Sequence, residues 1–214
     1  MKILYAASEA QPVAASGGLA DVAGSLPKAL VEEGHEACVV VPLYVNTIKQ
    51  QWRDQMTYVT NFSVPVGWRN QYCGLFTAKI NNVTYYFLDN EYYFKRDFGL
   101  YGYYDDAERF AFFSRAVLEI IPHIDWKPDI IHCNDWQSAL TPLYYSCYYA
   151  NQMGYENIKT VFTIHNIQYQ GKYGDELLND VLGIAPEYNN LILYDGLVNF
   201  MKAGIECANK VTTV

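Results

Sequence analysis

The chain has 214 residues, 51% hydrophobic and 18% charged, which is enough apolar material for one sizeable packed core. A formal net charge of −8 excludes a protein that coats nucleic acid through phosphate contacts, although a single local anion site needs only a few donors.

The first strand is expected over 2–8 (KILYAAS) and the second over 35–44 (HEACVVVPLY). Between them, residues 19–33 carry Val22, Leu26 and Leu30 at i, i+4 and i+8, which predicts a helix with one apolar face. Gly34 is its natural stop, and Pro27 predicts a kink. Strand, helix and strand in this order form a βαβ unit and imply parallel pairing. From 56 to 90 the character changes to short, turn-separated β segments, MTYVTNFSVPV, QYCGLFTAKI and VTYYFLDN. They read as a hairpin or meander inserted into the α/β scaffold, with Asn81-Asn82 as a tight turn. A helix is predicted over 105–121, with Asp105 and Glu108 at capping-box spacing and Phe110, Phe113, Val117 and Ile121 on its buried side.

After it the alternation resumes. A strand is expected at 129–135, a helix from 136 to 150, and a strand at 158–166 that leads into a Gly/Tyr-rich loop. A short helix near 175–182, a helix near 198–208 and a strand at 210–214 complete the chain. No repeat or low-complexity tract interrupts it, so the expected fold class is one doubly wound α/β domain with a Rossmann-like parallel sheet. The last strand stops without a turn or polar tail, which leads to the expectation of the front part of a longer protein.

The five cysteines (38, 73, 133, 147 and 207) are scattered, with no C-x-x-C pair, and favour reduced thiols in a cytoplasmic protein over a disulfide frame or zinc site. MKILYAASEA lacks the apolar core of a secretion signal, and no run of about 20 apolar residues predicts a membrane helix. The sequons at Asn61 and Asn82 are therefore read as chance matches. Most of the 20 tyrosines are assigned to core packing with hydroxyls reaching water, although such rings also suit stacking on sugars.

In a parallel α/β sheet, ligands collect at the carboxyl ends of the strands. Three polar clusters fall there: Glu9 with the Gly17-Gly18 loop, Asn134 to Gln137, and His165-Asn166 through Gly171. Gly17-Gly18 fits neither G-x-G-x-x-G nor the P-loop, and a tight strand-to-helix turn accounts for it equally well. Its place before a helix offers free backbone N–H groups to an anion. Asp21, in the first helical turn, either complements the helix dipole or orients a hydroxyl. Asp135 is by default a helix N-cap, and His165 a core or capping imidazole. Together these groups suit sugar hydroxyls and phosphate. The absence of G-x-S-x-G and H-E-x-x-H removes esterase-type hydrolases and zinc proteases.

The segments SEAQPVAASGGLADVAGSLPKAL (8–30), LYGYYDDAERFAFFSRA (100–116), HCNDWQSAL (132–140), FTIHNIQYQGKY (162–173) and YDGLVNFMKAGIECANKVTTV (194–214) carry a resemblance over nearly the whole chain. In order and spacing they resemble the N-terminal domain of bacterial glycogen synthases and plant starch synthases, glycosyltransferase family 5. The resemblance implies a GT-B fold, two Rossmann-like domains facing across a cleft, of which residues 1–214 are the acceptor-side domain. It implies retaining transfer of glucose from ADP-glucose to the non-reducing end of an α-1,4-glucan, with no metal or other cofactor and no membrane or nucleic-acid partner. The missing C-terminal domain would be the chain's partner, supplying most nucleotide contacts and a glutamate.

Carried over residue by residue, the resemblance makes His165, Asp135 and Asp21 the catalytic set. Gly17 and Gly18 would present N–H groups to the donor diphosphate, and Glu9 would help build the sugar pocket. Ala15, Ser16, Tyr101, Asn166 and Gln170 complete the implied substrate contacts. One position departs from the family: the lysine usual before Thr/Ser-Gly-Gly is Ala15, so a charge-assisted bond of roughly 1.5–3 kcal/mol is missing. Two other readings stay open, a glucan-binding or regulatory module without catalysis and a related GT-B enzyme using UDP-glucose.

Overall fold

The computed structural model describes all residues, 1–214. In chain order the elements are β1 (Lys2–Ala6), α1 (Gly18–Glu32), β2 (Glu36–Pro42), α2 (Gln50–Arg53), β3 (Thr57–Val66), β4 (Arg69–Ile80) and β5 (Val83–Asp89). Next come α3 (Glu91–Phe94), α4 (Asp106–Glu119), β6 (Ile130–Asn134) and α5 (Leu140–Tyr144), which runs on as a π-helical turn, Tyr145–Tyr149. The rest comprises β7 (Lys159–Ile164), β8 (Lys172–Tyr173), α6 (Asn189–Ile192), β9 (Leu193–Tyr194), β10 (Leu197–Asn199), α7 (Phe200–Cys207) and β11 (Lys210–Thr213).

The main sheet has the order β11-β7-β6-β1-β2-β5-β4-β3. Pairing is parallel from β11 through β7, β6, β1 and β2 to β5. The chain leaves β1 toward β2 on one side and later returns to β6 on the other, so the topological switch point lies beside β1. In open α/β sheets this is where a crevice forms.

The expected meander is present within the α/β scaffold. It lengthens the main sheet: β5 joins β2 in parallel, and β4 and β3 follow antiparallel. Without β5 the buried strand β2 would be left with an unpaired edge, which is costly for apolar backbone. The predicted turn is present, with φ of 50° at Asn81 and 66° at Asn82, the double positive φ of a tight hairpin.

Helix α1 buries Leu19, Ala20, Ala23 and Pro27, whereas Val22, Leu26 and Leu30 are only half-buried. The core-facing side is thus the small-residue side. A Cβ at Gly24 would come within 2.9 Å of the Gln11 carbonyl oxygen, which shows how closely the helix approaches the preceding loop. The helix continues through Pro27, whose missing N–H removes one ladder bond without ending it.

The capping box expected at α4 does not form. Asp105 makes no cap bond but pairs with Arg96, and Glu108 accepts from Tyr93 Oη and faces Arg69 at 3.3 Å. A guanidinium offers a stronger, charge-assisted partner than a backbone N–H. At the far end, residues 197–199 form β10 of a small three-stranded sheet, so α7 starts only at Phe200.

One core cluster contains 60 buried residues, among them Phe110, Phe112 and Phe113 of α4. Several buried tyrosines have their hydroxyls bonded to backbone carbonyls rather than water: Tyr44 to Ser8 at 2.8 Å, Tyr85 to Gln11 at 2.9 Å and Tyr145 to Ile158 at 2.9 Å. This lets a ring fill the core while its polar tip stays satisfied. All five cysteines are free thiols, and no helix is long and apolar enough to cross a membrane.

Candidate active site at the switch point

A cavity of about 920 Å³ opens where β1, β6 and β7 end and α1 begins. Its wall includes Glu9, Ser16 and Gly17 from the first connection, Gly18 at the start of α1, Tyr101 ahead of α4 and Asp106 at its first position, Asp135 to Gln137 after β6, and His165 with Asn166 after β7. The three clusters read from the sequence therefore meet in one place. Ala15, Asp21 and Gln170 do not line it. Ala15 is exposed, and Asp21 points from the exposed side of the first turn of α1. Gln170 accepts from Asn199 Nδ2 at 2.9 Å and borders a separate 300 Å³ pocket.

Glu9 is almost completely buried, and its Oε2 accepts from the backbone N–H of Ser16 and of Gly17, the latter at 3.3 Å. An internal carboxylate thus already occupies one of the two loop donors, Gly17, that the resemblance assigned to a diphosphate, together with that of Ser16. The N–H groups of Gly18 and Leu19, at the N-terminus of α1, have no internal acceptor and stay available to an anion. Burial raises the Glu9 pKa, while the bonds from Ser16 and Gly17 oppose that rise.

Asp135 is not the helix cap that its position suggested. Its backbone sits at φ 55° and ψ 179°, a region almost reserved for glycine, and its side chain makes no cap bond. Instead Oδ1 accepts from the N–H of His165 at 2.7 Å and of Asn166 at 3.1 Å, tying the end of β6 to the end of β7. These bonds over-determine the strained conformation. The second oxygen has no protein partner and is not sealed in the interior, so it faces the cavity. Burial pushes the Asp135 pKa up, against the two N–H groups and the His165 charge that favour ionisation.

The His165 imidazole is half-buried, and its pKa is lowered by burial, with Asp135 pulling the other way. Behind it His132 bonds Thr163 Oγ1 at 2.6 Å, and burial together with the His165 charge pushes it down to about 4. Both rings are neutral at pH 7.

The opposite rim depends on residues that local sequence reading had missed. Ser8 Oγ lies 2.7 Å from Tyr101 Oη, and the Ser8 carbonyl accepts from Tyr44. Asp106 accepts from the Gly102 N–H at 2.7 Å and from the fully buried Arg109, which packs against the rings of Phe94, Tyr103 and Phe110. Trp136 and the exposed Tyr169 add aromatic surface. No lysine or arginine lines the cavity, and of its three carboxylates (Glu9, Asp106 and Asp135) only Asp106 is paired with a cation, the buried Arg109 behind it. No three His, Cys, Asp or Glu side chains are grouped to hold a metal ion.

The pattern of the starch synthase catalytic domain matches residues 2–214. The chain belongs to this family. Its glycogen synthase relatives include that of Exiguobacterium sibiricum, 53% identical over 218 residues, and that of Desulforamulus reducens, 49% identical over 216. In both, all of this chain aligns with 45% of the relative, so it spans less than half of their length. Among solved structures, the catalytic domain of starch synthase IV from Arabidopsis thaliana, bound to ADP and acarbose, superposes with a TM-score of 0.88 at 31% identity. The overlap covers 99% of this chain and 44% of that one. The chain thus has the fold of one Rossmann-like half of the GT-B type implied by the resemblance.

Proposed function

We propose that this chain is the acceptor-side half of a glycogen synthase, which moves glucose from ADP-glucose to the non-reducing end of an α-1,4-glucan with retention of anomeric configuration. The supporting observation is Asp135: a strained residue clamped to the backbone of His165, with one carboxylate oxygen left open to the cavity. In this reading the bond between the anomeric carbon and phosphate breaks, and a bond to the acceptor's 4-hydroxyl forms on the same face. The hydroxyl proton leaves with the diphosphate. The Gly18 and Leu19 N–H groups meet the charge that develops on the leaving phosphate. Asp135 and the backbone carbonyl of His165 face the positive charge that develops on the sugar ring. The neutral His165 ring bonds a sugar hydroxyl, and Tyr101 and Tyr169 flank the bound sugars.

A second, C-terminal domain completes the cleft and brings the basic groups that this half lacks. The reading assigns no metal or cofactor beyond the donor substrate. Reduced cysteines support a cytoplasmic setting. One observation favours a second reading, a glucan-binding module without catalysis: the cavity wall carries carboxylates and no cation to hold a diphosphate. Glucosyl transfer assayed on this chain, with and without the C-terminal domain, separates the two. Transfer from ADP-glucose in the longer protein alone supports the enzyme. Glucan binding with no transfer from ADP- or UDP-glucose in either form supports the module.

A further inference from the structure

Asn134 ends β6 and is fully buried behind His165. Its Nδ2 donates to the Ala6 carbonyl at 3.0 Å and to the His132 carbonyl at 3.2 Å. Carbonyls only accept, so both amide hydrogens have their places and the amide cannot be turned round without setting oxygen against oxygen. The Oδ1 end is thereby fixed as an acceptor. It receives the Tyr5 hydroxyl at 2.9 Å and lies 2.9 Å from His165 Nε2. An acceptor at that distance requires a proton on Nε2. A neutral imidazole carries only one, which leaves a bare lone pair on Nδ1. Nδ1 has no protein partner and is not among the buried unpaired atoms of a ring that lines the cavity, so it is open to a ligand.

We propose that Asn134, braced by Tyr5, is a positioning residue that holds His165 in the Nε2–H tautomer, so that Nδ1 faces the cavity as an acceptor for a ligand hydroxyl. Asp135 acts in the same sense, since its open oxygen is also an acceptor. The two together select a ligand that donates two hydroxyl hydrogens and disfavour an anion at this point. That leaves the diphosphate to the α1 end of the cavity. The ligand's identity as a glucosyl group rests on the function proposed above; the tautomer does not.

The test uses long-range proton–nitrogen NMR of the histidine rings on this chain at neutral pH. The His165 spectrum should show a single Nε2–H tautomer in the wild type, and Tyr5→Phe, which leaves Asn134 in place, should keep it. Asn134→Ala should release the ring to a mixture of the two tautomers. A purely structural role for Asn134 would lower stability without changing the tautomer. A wild-type Nδ1–H form, or an unchanged tautomer in a folded Asn134→Ala, overturns the proposal. Should Asn134→Ala not fold, the wild-type and Tyr5→Phe spectra still decide, since Nδ1–H in either refutes it. A separate arm adds ADP-glucose to the protein extended by its C-terminal domain. A shift at Nδ1 supports the sugar reading. Saturation of the donor site with no change at Nδ1 overturns that reading of the ring while the tautomer result stands.

Discussion

Replacing Asp135 separates backbone strain from side-chain clamping. In the native chain Oδ1 takes the N–H groups of His165 and Asn166, and charge-assisted bonds of this kind contribute about 1.5–3 kcal/mol each. Against them stands a backbone conformation that costs a non-glycine residue roughly 1–3 kcal/mol. Asp135→Gly loses the bonds but relieves the strain, for a net loss of about 2–3 kcal/mol. Asp135→Ala loses the bonds and keeps the strain, and so should be less stable than the glycine variant by about 1–3 kcal/mol. This inverts the usual order, since glycine within regular structure is ordinarily about 0.5–1 kcal/mol worse than alanine. For a domain of this size each kcal/mol lowers the melting temperature by about 2–4 °C. Thermal unfolding followed by circular dichroism therefore resolves both steps. A glycine variant as stable as the wild type would show that the clamp contributes no more than the strain it offsets. An alanine variant more stable than the glycine one would refute the strain.

Ala15→Lys returns a cation to the exposed flank of the glycine loop. Allowing for solvent screening it should tighten ADP-glucose binding by about 1 kcal/mol, roughly fivefold by calorimetry on the protein with its C-terminal domain, and no change would argue against a diphosphate at this loop. Arg109→Met leaves Asp106 buried without its partner, and urea unfolding should record a loss of about 3–5 kcal/mol; a loss under about 1 kcal/mol would contradict the role given to the pair. His132 is held near 4 in the fold against an ordinary 6.5, so its contribution is complete above about pH 6.5 and is lost as pH falls toward 4, up to about 3 kcal/mol. Glu9 and Asp135, with raised pKa values, work in the opposite sense on the acid side of that window. Denaturation curves across pH 4–7 should flatten in His132→Gln, and an unaltered slope would remove His132 from the account.

Much of the scaffold was legible because its signals are local. The apolar runs of β1, β2, β6 and β7 and the Asn81-Asn82 turn each announce themselves within a few residues. So do the polar residues that follow the strands, and the switch-point rule then gathers them without further information. What stayed hidden depends on partners far along the chain. Asp135 looks like a cap until His165, thirty residues on, supplies the N–H group it binds. Ser8 bears on the rim only through the Tyr101 hydroxyl it bonds, and the cap at Asp105 was lost to Arg96. The buried face of α1 escaped notice because alanines carry little hydrophobic signal, yet their small size permits the close approach of Gly24 to Gln11. The missing lysine at Ala15 was visible from the outset; the occupation of the loop donors by Glu9 was not.

The central claim, that this cavity transfers glucose rather than merely binding glucan, is tested most directly by elongation of a maltooligosaccharide. The protein with its C-terminal domain is incubated with ADP-glucose and a defined acceptor, and the products are resolved by chain length. The account predicts products longer by α-1,4-linked glucose units in the wild type, and none from His165→Ala despite undiminished acceptor binding. Elongation at the wild-type rate by His165→Ala would contradict it.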